Sequence, residues 1–263
     1  MKAVSINLPR ELQYIDIHVF SDWHLGDPQC KLNDIKSTIA AIAENPKAYV
    51  VVNGDLINNA VRNGVSDIYS ERLNPMEELE LAYELLEPIK DRILAITSGN
   101  HENRSNKECG VDLTAFLATK LGLLDRYDPI SVALYIRLGE LKKKATGHPD
   151  RTRQVCYKIY LTHGSGGGRT EGSKINSLVR LQSIIDADVY VHSHTHQGAV
   201  LKGVRLKMDD RNNTIKEEEL LFVNSAAQLA FGGYGERLAF KPASTKQPTI
   251  RLSGVKKEFT ASL

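Results

Sequence analysis

Cysteine is scarce in this chain: three among 263 residues, Cys30, Cys109 and Cys156, with no C-x-x-C pair. That argues against a disulfide framework or a thiolate zinc site and fits a reducing cytoplasm. An excess of one charge is missing too. Lys and Arg number 34 against 32 Asp and Glu, a net +2, so nothing in the overall charge calls for a nucleic-acid or acidic-membrane partner. Long apolar runs are absent; stretches such as 48–52 fall far short of the about 18 residues that span a membrane. The start, Met1-Lys2-Ala3-Val4-Ser5, has one positive charge but neither an apolar segment nor a cleavage site, so no export signal is expected. No repeat or Pro/Gly-rich linker divides the chain, and 25% charged with 41% hydrophobic residues is ordinary for a folded protein. The expectation is one domain over 1–263, cytoplasmic and away from membranes.

What is present is a set of short β-branched runs that each end in polar residues. Ile15 to Phe20 leads into Ser21-Asp22-Trp23-His24, Tyr49 to Val52 into Asn53-Gly54-Asp55, and Ile93 to Thr97 into Ser98-Gly99-Asn100-His101. Val155 to Thr162 ends at His163-Gly164, and Ala187 to Val191 at a triplet of His192, His194 and His196. Such runs read as strands. Helical spacing lies between them: Ile35, Ile39 and Ile42; Met76, Leu79, Tyr83 and Leu86 on one predicted face; then 113–121 and 175–185. Asn74-Pro75-Met76-Glu77 has the N-cap, the proline at the first helical position and the capping-box glutamate of a helix start. Later segments, 198–207, 214–223 and 249–252, read as further strands, with Asn212-Asn213 as a turn. Strands alternating with helices predict an α/β fold whose function gathers at strand ends.

In chain order those ends read Asp22-x-His24, Gly54-Asp55, Gly99-Asn100-His101-Glu102, His163-Gly164 and Ser193-His194-Thr195-His196. The ordered set, within residues 16–200, resembles the calcineurin-like metallophosphoesterase family, whose motifs run D-x-H, G-D, G-N-H-[DE], H and G-H-x-H. One departure is Ser193 in place of the usual glycine. The resemblance implies a four-layer sandwich of two mixed β-sheets flanked by α-helices, with 201–263 supplying strands that complete the second sheet and a tail. It implies that Asp22, His24 and His196 bind one divalent ion, that Asn100, His163 and His194 bind another, and that Asp55 bridges them. His192 offers an alternative pairing with His194; the family motif favours His194 and His196. Alternation along 194–196 would put both rings on one side with Thr195 facing away.

Carboxylate, amide and imidazole donors suit Mn²⁺ first, then Fe or Zn²⁺. Two cations about 3.5–4 Å apart can share a hydroxide and clamp a phosphate ester during in-line attack. His101 is the candidate to protonate the leaving oxygen or stabilise the transition state. Family members commonly place an acid three residues after the bridging Asp to orient that histidine, whereas this chain has Asn58. The expected partner is a phosphate-ester substrate, a nucleotide or nucleic acid among the options. The stretch Gly54-Asp55-Leu56-Ile57-Asn58-Asn59-Ala60 lacks the arginine of the family's Ser/Thr protein phosphatases, which favours a diesterase or nuclease. Arg104, near His101, and Arg169, after the glycines at 164–168, are the candidate phosphate contacts.

Each piece alone has an ordinary reading. An Asp-x-His is often a turn, Asn100 would serve as a helix N-cap, and the histidine triplet would sit on a surface. Trp23 would wall the site, stack on a base or be buried. The basic residues Lys142, Lys143, Lys144, Arg151, Arg153, Lys241, Lys246, Arg251, Lys256 and Lys257 suit a solvated face or a polynucleotide backbone. The competing functions are a binding or scaffold protein that keeps the fold and an amidohydrolase-type metalloenzyme. The first should have lost ligands, and all seven are here; the ligand order disfavours the second.

Overall fold

The β-branched runs pair into two sheets, and the polar residues that end them gather along one edge. The computed structural model describes residues 1–62, 64, 66–141 and 153–263. Its first strands are β1 (Lys2–Asn7), β2 (Tyr14–Phe20), β3 (Ala48–Asn53), β4 (Ile93–Thr97), β5 (Tyr127–Asp128) and β6 (Ser131–Leu138). They are followed by β7 (Val155–Thr162), β8 (Val189–His192), β9 (Ala199–Asp209), β10 (Thr214–Asn224), β11 (Thr249–Ser253) and β12 (Phe259–Ser262). The helices are α1 (Leu32–Glu44), α2 (Pro75–Leu86), α3 (Glu102–Cys109), α4 (Leu113–Lys120), α5 (Glu171–Val179) and α6 (Gly233–Arg237).

One sheet has the order β1-β6-β7-β8-β10-β9 and the other β12-β11-β2-β3-β4-β5. Within the second, β2, β3, β4 and β5 run parallel; within the first, β7, β8 and β10 do. Ile15, Ile17, Val19 and Val51 of one sheet face Val132, Leu134, Leu161, Val191 and Val223 of the other in a shared core. The opposite face of the second sheet, through Phe20, Val50, Val52 and Ile96, packs on Ile35, Ile39 and Ile42 of α1 and on Leu79, Ala82 and Leu86 of α2. Tyr160, Tyr190 and Phe222 of the first sheet pack on Leu178 of α5. Helix, sheet, sheet and helix make the four layers that the resemblance implied. Among the described residues, no helix is long and apolar enough to cross a membrane.

Local chemistry explains the start of α2. The Asn74 side chain accepts from the amides of Met76 and Glu77, and Glu77 returns a bond to the Asn74 amide, with Pro75 at the first turn. The buried face differs from the predicted stripe. Met76 is exposed, whereas Glu78 is buried with Leu79, Ala82, Leu85 and Leu86. Glu78 turns inward because its carboxylate takes the amide of Asn59 at 2.7 Å. The residues after Leu201 also divide differently from expectation: β9 and β10 extend one sheet, whereas β11 and β12 extend the other. A two-residue period identifies a strand without naming its neighbour.

Candidate metal centre

Five strand ends deliver the seven ligand candidates, and the backbone bends sharply to do so. Asp22, His24, Asp55, His194 and His196 all have left-handed φ, between 49° and 66°. For non-glycine residues this costs of the order of 1–3 kcal/mol each, and such strain concentrates at functional sites. Strand alternation therefore does not aim the paired histidines: 194–196 is a bend rather than a strand, and Thr195 is buried beneath it. Two glycines permit the approach of β3 and β4. A Cβ on Gly54 would come within 2.5 Å of the Gly99 amide, and one on Gly99 within 2.1 Å of Asp55 Oδ1.

The side chains converge in two overlapping sets. Asp22, His24 and His196 form one: His24 Nε2 lies 3.1 Å from His196 Nε2, and that nitrogen lies 3.3 Å from Asp22 Oδ1. Asp55, His163 and His194 form the other, with His163 Nε2 3.1 Å from Asp55 Oδ2. Asn100 Oδ1 joins the second set at 3.2 Å from His163 Nε2 and 2.5 Å from His194 Nδ1. Asp55 also meets His24 and His101 in a third grouping, so it stands between the two sets.

The donors fit divalent cations. Asp22 Oδ1 is buried and has no hydrogen-bond partner, while Ser21 Oγ donates to its other oxygen at 2.6 Å. A buried carboxylate oxygen without a donor is costly unless a cation answers it. Burial, then the neighbouring His101 and His196, hold His24 well below its usual pKa, so the ring is neutral, as ligation requires. Burial opposes charge on His163, but Asp55 outweighs it and raises the pKa to about 10. Burial would likewise raise Asp55; the facing His163 and His101 reverse this and hold it well below the usual carboxylate range.

Several supporting residues escaped the motif reading. Glu102, at the start of α3, is buried and accepts four backbone N–H bonds: from Asp55 and Gly99 at 2.9 Å, Leu56 at 2.7 Å and Ile57 at 3.3 Å. Its place as the last residue of the G-N-H-[DE] motif was the available signal. Asn53 accepts from Thr97 Oγ1 and donates to Ser193 Oγ and the Thr162 carbonyl, tying the sheets together. Its own carbonyl is 2.7 Å from His163 Nδ1, which turns Nε2 toward the site. Ser193 thus uses the hydroxyl that glycine lacks, and its φ is not left-handed. His192 is buried on β8, bonded to Asn224, whose amide also holds Thr195 Oγ1 at 2.7 Å.

His101 meets the Asn58 carbonyl through Nδ1 at 2.8 Å, so the backbone, not the Asn58 side chain, orients it. The Asn58 amide instead donates to Glu71 at 2.6 Å. Arg104 Nη2 lies 3.0 Å from His101 Nε2, and its Nη1 donates to the Asn58 carbonyl and Ser66 Oγ. Burial, aided by Arg104 and opposed by Asp55, lowers the His101 pKa to about 4. Arg169 is exposed, with its guanidinium 5.8 Å from the centre of the Phe240 ring. Trp23 is buried against Phe20 and donates to Gln247, so it is not a stacking platform. Lys241, Arg251, Lys256 and Lys257 pair with Glu171, Asp16, Glu258 and Asp188, as on a solvated face. Arg153 and Lys246 are exposed; Lys142, Lys143, Lys144 and Arg151 lie outside the described residues.

Residues 15–198 match the family model of the calcineurin-like phosphoesterases. No curated protein matches the chain. Among solved structures it is similar to Vacuolar Protein Sorting 29 from Cryptosporidium parvum, at 18% identity over 95% of this chain and 97% of that one, TM-score 0.43. It is also similar to a metallophosphoesterase from Sphaerobacter thermophilus, at 11% identity over 93% of this chain and 90% of that one, TM-score 0.40. A third is Vps29 from Entamoeba histolytica complexed with Zn²⁺, at 14% identity over 94% and 97%, TM-score 0.33.

Proposed function

The chain belongs to the calcineurin-like phosphoesterase family, and from that membership we propose that it is a two-metal phosphoesterase that favours diesters over phosphoprotein monoesters. The observation that carries the reading is the pair of ligand sets meeting at Asp55, with a buried oxygen of Asp22 left without a donor. Asp22, His24 and His196 would hold one ion; Asn100, His163 and His194 the other; Asp55 both. The mixed oxygen and imidazole donors suit Mn²⁺ first, with Fe and Zn²⁺ as alternatives. When bound, two such ions supply Lewis acidity toward phosphoryl oxygens and lower the pKa of water toward neutrality.

The protein's own groups do the rest. Asn53 and Asn58 present carbonyls that fix the rings of His163 and His101, so each Nε2 faces inward. The His101 ring is neutral on its own, and a phosphate ester entering beside it favours the protonated form that would hand a proton to the leaving oxygen. Arg104, whose Nη2 lies 3.0 Å from that inward Nε2, would add positive charge beside the ester. The segment Leu56-Ile57-Asn58-Asn59-Ala60 after Asp55 has a buried Asn59 where the family's protein phosphatases have an arginine, which supports a diester over a phosphoprotein. Arg169, exposed and set over Phe240, is a second candidate phosphate contact. An intracellular setting fits the scarce, unpaired cysteines.

The test is hydrolysis of a chromogenic phosphodiester and the corresponding monoester by metal-stripped protein, with and without added Mn²⁺. Diester turnover restored by Mn²⁺ supports the reading; protein that binds no divalent ion overturns it. His101→Ala should slow turnover by about 10²–10⁴-fold with metal content kept. Unchanged turnover would remove His101 from the mechanism.

A further inference from the structure

A cavity of about 560 Å³ opens beside Asn100 and His163, between the start of α3 and the loop ahead of β6. That volume lies within the range of about 300–1,000 Å³ for small-molecule sites. Its walls differ in kind from the ligand cluster. Asn103 and Asn106, one turn apart on α3, present carboxamides, with Asn106 Nδ2 donating to Asn103 Oδ1 at 3.3 Å; each amide still has further donor or acceptor capacity. Pro129 and Ile130 form an apolar side, and Ile130 is 68% exposed, an unusual position for a large aliphatic residue unless something packs on it. Ser165 adds a hydroxyl to the lining.

The charge of the lining is the deciding feature. Among the described residues, no lysine or arginine lines the cavity; beside the candidate ligand His163, its ionisable groups are Asp112 and the buried Glu102, whose carboxylate is taken up by four backbone amides. Asp112 is locked in place, one oxygen capping α4 through the Ala115 amide and the other accepting from Tyr127 Oη at 2.6 Å. Away from Asn100 and His163, a second phosphate brought into this space would face the fixed Asp112 side chain and find no lysine or arginine to pair with it. An uncharged group with a flat apolar face and a hydrogen-bonding edge would meet Ile130 and the two carboxamides instead. Side-chain amides pair well with base edges of that kind.

We propose that this cavity seats the organic arm of the phosphate ester, and that the arm is a single uncharged nucleoside rather than the continuation of a nucleic-acid strand. The proposal rests on the phosphoesterase reading above, and it narrows the substrate from nucleic acid to a nucleotide ester. Asn103 and Asn106 would hold the base or sugar edge, and Ile130 would cover its face.

The test uses the full chain loaded with Mn²⁺ and compares the p-nitrophenyl ester of thymidine 5′-phosphate with bis(p-nitrophenyl) phosphate, with an oligothymidylate as competitor. Thymidine alone is titrated calorimetrically onto metal-free protein. The nucleoside ester should be favoured in kcat/KM by about tenfold, mostly through KM, the worth of about one or two hydrogen bonds. Asn103→Ala and Asn106→Ala should each erase most of that ratio and weaken thymidine binding, whereas Lys107→Ala, on the same helix outside the cavity, should keep it. An unchanged ratio in both asparagine variants overturns the proposal, as does an oligothymidylate that competes more tightly than the mononucleotide ester. If neither ester is turned over, the phosphoesterase reading fails instead. The thymidine titration then decides the cavity: binding lost in the variants supports it, and no binding to the wild-type protein overturns it.

Discussion

The two sheets contribute unlike halves to one site. The ends of β2, β3 and β4 bring both carboxylates and the amide oxygen, Asp22, Asp55 and Asn100, together with His24. The ends of β7 and β8 bring imidazoles alone: His163, His194 and His196. Each half is braced by what its chemistry requires. Asp22 and Asp55 are 0% and 1% exposed, and each takes a donor on one oxygen: Ser21 Oγ for Asp22, the His101 amide at 2.8 Å for Asp55. The turn that carries Asp55 is pinned through its own amides by Glu102. Neutral rings need an acceptor that selects a nitrogen, and backbone carbonyls or amide side chains suffice. The side chain of His196 is 39% exposed and that of His163 only 4%, so even this half has a rigid and a loose member. The carboxylates are thus fixed by burial and donors, and the His163 ring by the single carbonyl of Asn53.

The sharpest way to break this comparison is to delete one ligand from each half. Asp55 belongs to the second set and also groups with His24 of the first, so if it bridges as proposed, Asp55→Ala should lose both ions, from about two per chain to none, together with turnover. His194 belongs to the second set only, so His194→Ala should keep one ion and lose turnover in larger part than binding. Metal content by mass spectrometry beside diester turnover separates the two. Equal metal loss in both variants would mean that the halves are not distinct.

Removing the bracing should cost less and should still follow the division. Glu102→Gln leaves a carboxamide where four amides converge, and it should weaken metal binding or activity by about 10–100-fold, the usual cost of losing a ligand's supporting partner. Asn224→Ala frees His192 and the Thr195 hydroxyl beneath the paired histidines, and its loss should fall on the first set through His196 and on the second through His194. Circular dichroism should show both variants folded. A Glu102→Gln protein with normal metal affinity would remove Glu102 from the site's support.

Those braces mark where sequence reasoning stops. The strand ends that gather the candidate ligands were legible because each β-branched run breaks at a polar residue, and the α2 cap was legible because Asn74 and Glu77 act on amides within three residues. Glu102 was quoted as a motif residue, but three of its four partners lie 45 to 47 positions earlier, and no local pattern shows them. The same holds for Glu78, whose polarity argued for solvent while the Asn59 amide draws it inside at Met76's expense. The predicted alternation of His194 and His196 failed for a different reason. Left-handed φ at both residues replaces the strand period, and neither is a glycine that would have signalled it. The sheet to which each late strand adds is set by long-range packing, which explains the misassigned 201–263.

The gentlest probe of the two halves is protons. Without an ion, His163 holds its proton up to about 10 because Asp55 faces it, so at neutral pH the second set carries an imidazolium. An ion at that set must displace the proton, and its affinity should therefore rise with pH toward about 10 and fall on acidification, by at most about tenfold per pH unit. The first set behaves differently. Burial keeps His24 well below its usual pKa, so that ring has no proton to release at neutral pH. Calorimetric Mn²⁺ titrations in two buffers of different ionisation enthalpy count the protons for each binding step. One ion should release about one proton and the other about none. Asn53, whose carbonyl holds His163 Nδ1, keeps Nε2 as the exchanging atom, so the released proton leaves the position the ion takes. Equal proton release at both steps would show that the charge difference between the halves does not reach their ligand chemistry.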